Sequence, residues 1–354
     1  MTKVVVAMSG GVDSSVAAAL LKQQGYEVVG MMLRLWSESG KEDSNRCCTP
    51  DAMALARRVS AILEIPFYVI DAKQIFKETV VQYFLDGYAR GETPNPCLVC
   101  NRQIRWKYLL DHALAIGADF MATGHYVRLI SDENGAKQLM RAVDRSKDQS
   151  YVLHVLNQGK LQKALFPIGD YPKPEIRKIA EAFGLPTASR HDSQDLCFLA
   201  GDDYRNFLQR NASWQFKPGV ILSGFGEIIG EHTGLANYTI GQRKGLGISS
   251  PVPLYVINKD PIKNALIVGR LEELGSNQLT ACDFNWVSGE AIRTPFRGEV
   301  KIRYTAKEAP ALVTPLENDS RVEVRFDTPQ RDITAGQAAV IYQGELLIGG
   351  GIIQ

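Results

Sequence analysis

The chain has 354 residues, which predicts two or three domains at roughly 150 residues each. A hydrophobic content of 45% and a charged content of 22% are those of a globular protein, so disordered and fibrous classes are excluded. The net charge is +1, so a polyanionic partner would have to bind a local basic patch. No apolar run reaches the roughly 18 residues of a membrane span, and no signal-peptide pattern precedes Ser9, so we expect a cytoplasmic protein without a membrane partner.

Short β-branched runs alternate with amphipathic stretches over the first part of the chain. This order predicts an α/β fold with a parallel sheet covered by helices on both faces. The predicted strands are 4–7, 27–33, 66–70 and 119–123. The predicted helices are 14–24, 50–61, 73–90, 103–116 and 174–183, and Thr49 and Pro50 give the second of them an N-cap and a first-turn proline.

The pattern changes at about residue 204, where long helical periods end and short alternating strands begin. Antiparallel strands are predicted over 297–304, 311–314, 321–326, 338–342 and 346–353. We therefore expect three domains: a parallel-sheet catalytic domain over 1–203, a small central domain over 204–273, and a C-terminal antiparallel β-barrel over 274–354.

A glycine-rich loop follows the first predicted strand and has the sequence Ser-Gly-Gly-Val-Asp-Ser-Ser over residues 9–15. Backbone N–H groups at a helix N-terminus attract anions, and adjacent glycines let the backbone curve around a phosphate. The hydroxyls of Ser9 and Ser14 could donate to it, while Asp13 could hold a Mg²⁺ that neutralises a polyphosphate. The alternative is a strand-to-helix turn in which these residues only cap the helix.

The six cysteines are too sparse for a secreted disulfide scaffold, so their spacing has to indicate their role. Cys97 and Cys100 lie on a proline-rich turn before the helix predicted at 103, where the helix N-terminus and Arg102 favour thiolate over thiol. Cys197 is a lone thiol after a polar turn. Cys282 falls in an alternating apolar strand and is expected in the core. Transfer of sulfur needs two thiols, one carrying a persulfide and one assisting its delivery.

Zinc is the competing interpretation of the cysteines, because Cys97-x-x-Cys100 has ligand spacing and Cys47 and Cys48 could complete four sulfurs. Structural zinc normally uses a second Cys-x-x-Cys or His pair, and adjacent cysteines chelate poorly. We therefore expect no metal site among these residues. Cys47 and Cys48 lie in a polar loop, where they are either incidental or redox-active.

The loop at 9–15 resembles the pyrophosphate loop of the ATP pyrophosphatases, which cleave ATP between the α- and β-phosphates and transfer AMP to an oxygen of the substrate. Further motifs resemble the bacterial tRNA-specific 2-thiouridylase family over nearly the full chain. They are Thr-Pro-Asn-Pro-x-x-x-Cys-Asn at 93–101, Ala-Thr-Gly-His-Tyr at 122–126, Lys-Asp-Gln-Ser-Tyr at 147–151, Cys197-Phe198, and Gly-Gln-Arg-Lys-Gly-Leu-Gly at 241–247.

The resemblance implies an N-type ATP pyrophosphatase domain and an ATP-dependent 2-thiolation of the tRNA wobble uridine, with ATP and Mg²⁺ as cofactors. Cys197 would carry the persulfide, and Cys100 would be its catalytic partner, with a disulfide between them during turnover. The implied ATP contacts are Ala7, Met8, Ser9, Gly10, Gly11, Val12, Asp13, Ser14, Leu33 and Gly124. The implied RNA contacts are Asn95, Pro96, Cys97, His125, Lys147, Asp148, Gln149, Arg303, Tyr304 and Gln337.

The implied partners are tRNA, with the lysine, glutamate and glutamine acceptors expected, and a sulfur-relay protein or cysteine desulfurase as donor. One position departs from the family pattern, since some members carry Asp where this chain has Cys97. There the carboxylate is regarded as an acid/base near the uridine, whereas Cys97 could be an acid/base, a packing contact or a third redox thiol. Two other functions stay open from the residues: an amide-forming synthetase with the same AMP chemistry, and a zinc-stabilised RNA-binding module.

Overall fold

The structure is a computed structural model that describes residues 1–41, 49–190, 196–316 and 320–354. Its N-terminal strands are β1 Lys3–Ala7, β2 Glu27–Arg34, β3 Phe67–Asp71, β4 Phe120–Thr123, β5 Val127–Ser131, β6 Lys137–Arg141 and β7 Ala164–Leu165. The order β3-β2-β1-β4-β7 forms a parallel sheet, as predicted. The sequence order reverses between β1 and β4, and ligands of open α/β sheets bind in the crevice at such a point.

Helices cover this sheet on both faces. They are α1 Val12–Gln23, α2 Pro50–Ile62, α3 Lys73–Phe76, α4 Gln82–Ala89, α5 Pro96–Val99, α6 Leu110–Ala115, α7 Ser150–Leu153, α8 Gln158–Leu161, α9 Lys173–Ala182 and α10 Tyr204–Asn211. The predicted start of α2 is confirmed, because the Thr49 side chain accepts a hydrogen bond from the Ala52 N–H at 3.0 Å. Within the part of the chain that the structure describes, no helix is both long and apolar enough to cross a membrane.

The helix predicted over 103–116 begins earlier than expected, at Pro96. It runs through α5, the π-helical segment Cys100–Leu109 and α6, with a kink at Trp106. The prediction of a turn at 97–102 was wrong because Asn95 caps this helix, its side chain accepting from the Cys97 N–H at 3.1 Å, and Pro96 occupies the first helical position. Cys97 and Cys100 therefore lie on the first turns of a helix.

The central region contains β8 Gly219–Ser223, β9 Ile228–His232, β10 Tyr255–Asp260 and β11 Ala265–Gly269, which pair in the order β10-β11-β8-β9. The C-terminal region contains β12 Gly275–Trp286, β13 Phe296–Lys301, β14 Ala309–Pro315, β15 Val322–Arg331, β16 Ala338–Gln343 and β17 Leu346–Ile353. The sheet order β12-β15-β14-β13-β16-β17 is closed by pairing of β12 with β17. The predicted antiparallel barrel is thus confirmed.

Three features of the barrel differ from the prediction. The hairpin β5–β6 was not predicted, and it extends the barrel sheet where Met140 pairs with Leu346 of β17. The strand predicted over 297–304 ends at Lys301, so Arg303 and Tyr304 lie in the turn that follows. Cys282 is only half-buried, because a bulge after it changes which side chains face the core.

Candidate active site

The glycine-rich loop joins β1 to α1 and leaves the helix N-terminus open. Gly11 is the N-cap of α1, and among the described residues no side chain caps this end. Gly10 has a φ of +71°, and a Cβ there would lie 2.3 Å from the Ala52 carbonyl oxygen. Only glycine fits this turn, which exposes the first-turn N–H groups to a ligand. The loop at 9–14 therefore has an open helix N-terminus of the kind that binds phosphate, and phosphate binding there stays a prediction.

Hydroxyl groups within the loop fix its shape. The Ser14 hydroxyl lies 3.3 Å from the Ser9 hydroxyl and also donates to the Gly11 carbonyl at 3.2 Å. The Ser15 hydroxyl donates to the same carbonyl at 2.8 Å. Arg190 donates from Nη1 to the Gly10 carbonyl at 2.6 Å. Sequence reasoning missed Arg190, since its distance from the loop in the chain leaves no local pattern.

Asp13 points into the site but is already paired. Lys173 Nζ, at the start of α9, lies 2.8 Å from one carboxylate oxygen and 2.9 Å from the other. The Tyr126 hydroxyl donates to Asp13 Oδ1 at 2.7 Å. Lys173 is buried and Asp13 is half-buried. In this structure Asp13 is therefore held by a cation and a hydroxyl, and its expected role as a Mg²⁺ ligand stays a prediction.

The C-terminal ends of β4 and β2 form the walls beside the loop. A Cβ on Gly124 would lie 2.6 Å from the Ser14 backbone nitrogen, so the chain after β4 packs directly on the N-terminus of α1. Leu33, at the end of β2, is half-buried and contacts two apolar clusters. Ala7, Met8 and Val12 lie at the base, with Met8 and Val12 buried. These residues therefore lie around the carboxyl ends of β1, β2 and β4, and ATP contact by them stays a prediction.

His125 follows Gly124 and is held from both ring nitrogens. Arg105 Nη1 lies 3.0 Å from Nε2, and the Thr123 hydroxyl lies 2.7 Å from Nδ1. Because an arginine can only donate, Nε2 accepts and Nδ1 carries the proton that is donated to Thr123. Burial and then the Arg105 charge hold the pKa of His125 well below its usual value, so the ring is neutral. The ring is only 5% exposed.

The two proposed catalytic thiols share one apolar surrounding. Cys100 and Cys197 are both half-buried and pack against the same cluster, which includes Phe84, Phe198 and Phe207. Cys197 begins the 3₁₀ turn Cys197–Leu199. The structure thus places two cysteines that are 97 residues apart in the sequence against the same apolar cluster. Cys47 and Cys48 lie outside the described residues.

The barrel closes over the start of the cysteine-bearing helix. The Gln337 amide donates to the Thr93 carbonyl at 2.7 Å, and the Thr93 N–H donates to the Ala335 carbonyl at 2.9 Å. Tyr304 is exposed, and its ring lies 6.1 Å from that of Tyr151. Burial of part of this side chain raises the pKa of Tyr304, and the nearby Asp148 and Cys97 raise it further. Cys97 is exposed. Residues predicted to contact RNA from both domains therefore line one surface.

Other predicted RNA contacts are engaged within the protein. Asp148 is buried and accepts from the Ala142 N–H at 2.9 Å and the Ser150 hydroxyl at 2.7 Å. The Gln149 side chain accepts from the Tyr126 N–H at 3.0 Å. Lys147 is half-buried, Pro96 is buried, and Arg303 donates to the Thr334 hydroxyl at 2.6 Å. The contacts of Asp148 and Gln149 hold the loop between β6 and α7, and RNA contact by all of these residues stays a prediction.

The zinc alternative has no support among the described residues, which contain no group of three or more His, Cys, Asp or Glu side chains placed to bind a metal. Cys47 and Cys48, which that alternative required, are not among them. A Mg²⁺ bound mainly through substrate phosphates needs few protein ligands, so it is not tested by this observation.

Three family models together match nearly the whole chain. The tRNA methyl transferase HUP domain matches residues 2–201, the PRC-barrel domain of the same family matches 205–270, and the aminomethyltransferase β-barrel domain matches 276–353. The tRNA-specific 2-thiouridylase MnmA of Pelotomaculum thermopropionicum is 48% identical, over 100% of this chain and 97% of its own. The tRNA-specific 2-thiouridylase MnmA of Acetivibrio thermocellus is 45% identical, over 99% of both chains.

The chain belongs to the tRNA-specific 2-thiouridylase family. The family, the fold class and the assignment to the tRNA-thiolating enzymes are thereby confirmed. The likeness to solved structures is much weaker. The NMN synthetase of Francisella tularensis shares 16% identity at a TM-score of 0.34, over 54% of this chain and 66% of that chain, which is too little to bear on mechanism.

Within this 2-thiouridylase, the sequence patterns missed residues that contact the predicted ones from distant positions. They are Lys173 and Tyr126 on Asp13, Arg190 on Gly10, and Arg105 and Thr123 on His125. Tyr126 belongs to a quoted motif, so a signal was available there. Lys173 precedes Pro174, where the sequence predicted the start of a helix. That pattern located the helix but did not indicate that Lys173 pairs with Asp13.

Proposed function

We propose that this protein adenylates the carbon-2 oxygen of a tRNA wobble uridine with ATP and then replaces that oxygen with sulfur from a cysteine persulfide. The products are 2-thiouridine, AMP and pyrophosphate. The observation that carries the proposal is a chain of contacts: Gly124 packs on the phosphate loop at 9–14, His125 contacts Arg105 of the cysteine-bearing helix, and Tyr304 of the turn after Lys301 lies near Cys97 of that helix. Each part supplies what one step of this reaction requires.

The phosphate loop supports the first step. The open N-terminus of α1 would bind the triphosphate, and Gly124 and Leu33 would line the adenosine site at the crevice. The uridine oxygen attacks the α-phosphorus, and pyrophosphate leaves. The ammonium group of Lys173 lies beside this loop, where it pairs with Asp13. If it moved from Asp13 to the phosphates, it would stabilise their negative charge. Mg²⁺, when bound to the ATP phosphates, would neutralise part of the same charge.

The two thiols support the second step. The terminal sulfur of a Cys197 persulfide attacks carbon 2, and AMP leaves with the former uridine oxygen. Cys100 then attacks the Cys197 sulfur, which releases the thiouridine and forms a Cys100–Cys197 disulfide. An external thiol reductant supplies two electrons to restore both cysteines. The shared apolar surrounding of these cysteines supports this pairing, since it excludes water that would compete for the adenylate.

The substrate has to reach this crevice as an unstacked nucleotide. Chemistry on a base requires the base to leave its stack, and an anticodon loop presents single-stranded bases that can do so. Asn95 and the exposed Cys97 at the helix start, with the exposed Tyr304 from the barrel, would contact this nucleotide. We expect tRNAs for lysine, glutamate and glutamine as substrates, and a sulfur-relay protein or cysteine desulfurase as the donor.

A nucleoside analysis of tRNA tests this function. We expect a strain that lacks the gene to lose 2-thiouridine derivatives from bulk tRNA, as measured by mass spectrometry, and to regain them with the intact gene. A Cys197→Ser copy should fail to restore them. Unchanged 2-thiouridine in the deletion strain, with no second gene of this family present, would contradict the proposal.

A further inference from the structure

The glycine-rich motif at 241–247, which we call the basic turn, has no part in the reaction outlined above, although its backbone is closely specified. Gly241, Gly245 and Gly247 have φ values of +85°, +77° and +69°, a region that favours glycine. A Cβ on Gly241 would also overlap the carboxylate of Asp332. The turn is therefore packed directly on the barrel loop that carries Asp332, between β15 and β16.

Hydrogen bonds hold the basic turn from both sides. The Gly241 N–H donates to the Val256 carbonyl at 2.9 Å, and the Val256 N–H donates to the Gln242 carbonyl at 2.9 Å. The Gln242 side chain accepts from the Thr239 N–H at 3.2 Å and donates to the Lys244 carbonyl at 2.9 Å. The tip of the turn is thereby fixed to β10 and braced by its own glutamine.

Two adjacent cations occupy this tip. Arg243 and Lys244 are both exposed, and neither forms an ion pair with any residue that the structure describes. Cations on a fixed backbone lose less entropy when they bind an anion than cations on a mobile loop do. The basic turn therefore presents two charges that suit an anionic partner.

A cavity of about 660 Å³ lies between the basic turn and α10. Two cations and four amides line it, on Arg205, Lys244, Asn206, Gln209, Asn237 and Gln242. Its lining, within the described part of the chain, includes no acidic and no aliphatic side chain, although Asp203 pairs with Arg205 at 3.2 Å. Cations and amides bind phosphate and sugar oxygens of nucleic acids, whereas the centre of a protein interface is apolar. The lining therefore fits an RNA backbone better than a protein partner.

Direct contacts join the basic turn to residues that are predicted to contact RNA. Arg303 donates from Nη2 to the Ile240 carbonyl at 3.4 Å, and its Nη1 lies 3.7 Å from Asp332, on which the turn packs. Tyr304 follows Arg303 in the chain and lies near Cys97. A folded tRNA extends well beyond one nucleotide, so its backbone can also contact this adjoining surface.

We propose that the basic turn binds backbone phosphates of tRNA through Arg243 and Lys244, with Arg205 as a third cation across the cavity. This inference rests on the proposed function, because it takes tRNA as the substrate. Contacts to phosphates add affinity and orientation without reading sequence. The basic turn therefore sets the affinity for tRNA and takes no part in adenylation or sulfur transfer.

The test measures Kd for an unmodified lysine tRNA transcript at several KCl concentrations, together with kcat and KM for tRNA in thiolation. The double variant Arg243→Gln with Lys244→Gln should raise Kd by about tenfold at 0.1 M KCl. It should also lower the slope of log Kd against log[KCl] by about 1 to 2, since two phosphate contacts are lost. KM should rise with Kd, while kcat should stay within about threefold of wild type.

Two further double variants separate phosphate contact from net charge and from folding. Lys217→Gln with Lys263→Gln removes two exposed cations near the opposite end of β10 in the same domain, and should leave Kd within about threefold of wild type. Arg243→Lys with Lys244→Arg keeps both charges at the tip and should do the same. Thermal unfolding shows whether each variant is folded.

The opposite results are distinct. If wild type binds tRNA but the Arg243 and Lys244 glutamine variant keeps its Kd and salt slope, the proposal is overturned. An equal loss in the Lys217 and Lys263 variant would also overturn it, because the effect would then be that of net charge. Unchanged tRNA binding with slower transfer from a protein persulfide donor would assign the turn to that protein instead. If wild type neither binds nor thiolates tRNA, the proposed function itself fails.

Discussion

Lys173 Nζ contacts both carboxylate oxygens of Asp13, at 2.8 and 2.9 Å, across 160 positions of sequence. The pair joins the N-terminus of α9 to the phosphate loop, and the Tyr126 hydroxyl completes it from the chain after β4. Three segments are thus held together at the point where ATP is proposed to bind. Binding of phosphates would offer Lys173 a second anion in the same place.

Removal of Asp13 should therefore affect both stability and activity. Asp13→Ala leaves the buried Lys173 ammonium without its carboxylate, so we expect the free energy of unfolding to fall by roughly 1 to 3 kcal/mol, less than for a fully buried pair because Asp13 is partly exposed. Urea unfolding measures this. Asp327→Ala, which breaks the exposed pair with Arg297, is the control and should change stability little.

A double variant, Asp13→Asn with Lys173→Met, is compared with Asp13→Ala. It removes both charges, so it should recover part of the stability that Asp13→Ala loses. Neither variant should release pyrophosphate at a measurable rate. Full stability in Asp13→Ala would show that the ion pair does not stabilise the loop.

The roles of Cys100 and Cys197 should be distinguishable, because serine variants of the two block different steps. Cys197→Ser should prevent loading of radiolabelled persulfide sulfur but still permit adenylation of tRNA, whereas Cys100→Ser should load sulfur and fail to release thiolated tRNA. Gel autoradiography under non-reducing conditions measures the label. Cys282→Ser is the control, since this half-buried cysteine lies in the barrel strand β12. Labelling lost in Cys100→Ser and kept in Cys197→Ser would reverse the assignment.

Cys97 is exposed at the second position of the helix that Asn95 caps, close to Tyr304. We expect a packing contact with the uridine, because Cys97 is exposed beside the Tyr304 ring and Asn95, which are both predicted to contact RNA. Cys97→Ala should therefore raise the tRNA concentration required, with little change in the single-turnover rate. A loss of about 10²-fold, with rescue by Cys97→Asp, would instead identify an acid/base.

Acid should destabilise the fold through its buried histidines. Burial lowers the pKa of His154 to about 4, while in the unfolded chain it is near 6.5. Below 6.5 the unfolded state therefore binds a proton that the folded state does not. The free energy of unfolding should fall by about 3 kcal/mol as the pH drops from 6.5 to 4, and burial of His125 and His232 acts in the same direction. Urea unfolding at pH 7 and 5 tests this, and equal stability at both would contradict it.

Local patterns predicted the parallel sheet, because β-branched strands and capped helices are specified by neighbouring residues. Thr49 and Pro50 marked the start of α2 correctly, and the same reasoning applied to Asn95 and Pro96 would have placed Cys97 on a helix. The hairpin β5–β6 was missed because its edge pairs with β17, about 200 positions further along the chain. Cys282 was predicted in the core, but a bulge in β12 changes which side chains face the core. The alternation of apolar and polar residues in the sequence does not reveal a bulge.

The site was predictable as a set of segments but not as a set of contacts. Family motifs indicated the loop, the helix with Cys100 and the segment with Cys197, and the last two do pack against one apolar cluster. The pairing of Asp13 with Lys173 and of His125 with Arg105 depends on tertiary packing between distant elements. The motifs therefore indicated Asp13 and His125 as site residues but not the side chains that hold them.

The central claim is that one adenylation precedes each sulfur transfer at a single site. The most direct measurement incubates purified protein with unmodified tRNA, ATP labelled at the α-phosphate and a persulfide donor, and quantifies 2-thiouridine, AMP and pyrophosphate. We predict that the three products form in a ratio of one to one to one, and that labelled adenylate on tRNA accumulates when the donor is omitted. Formation of ADP and phosphate, or of 2-thiouridine without AMP, would contradict this account.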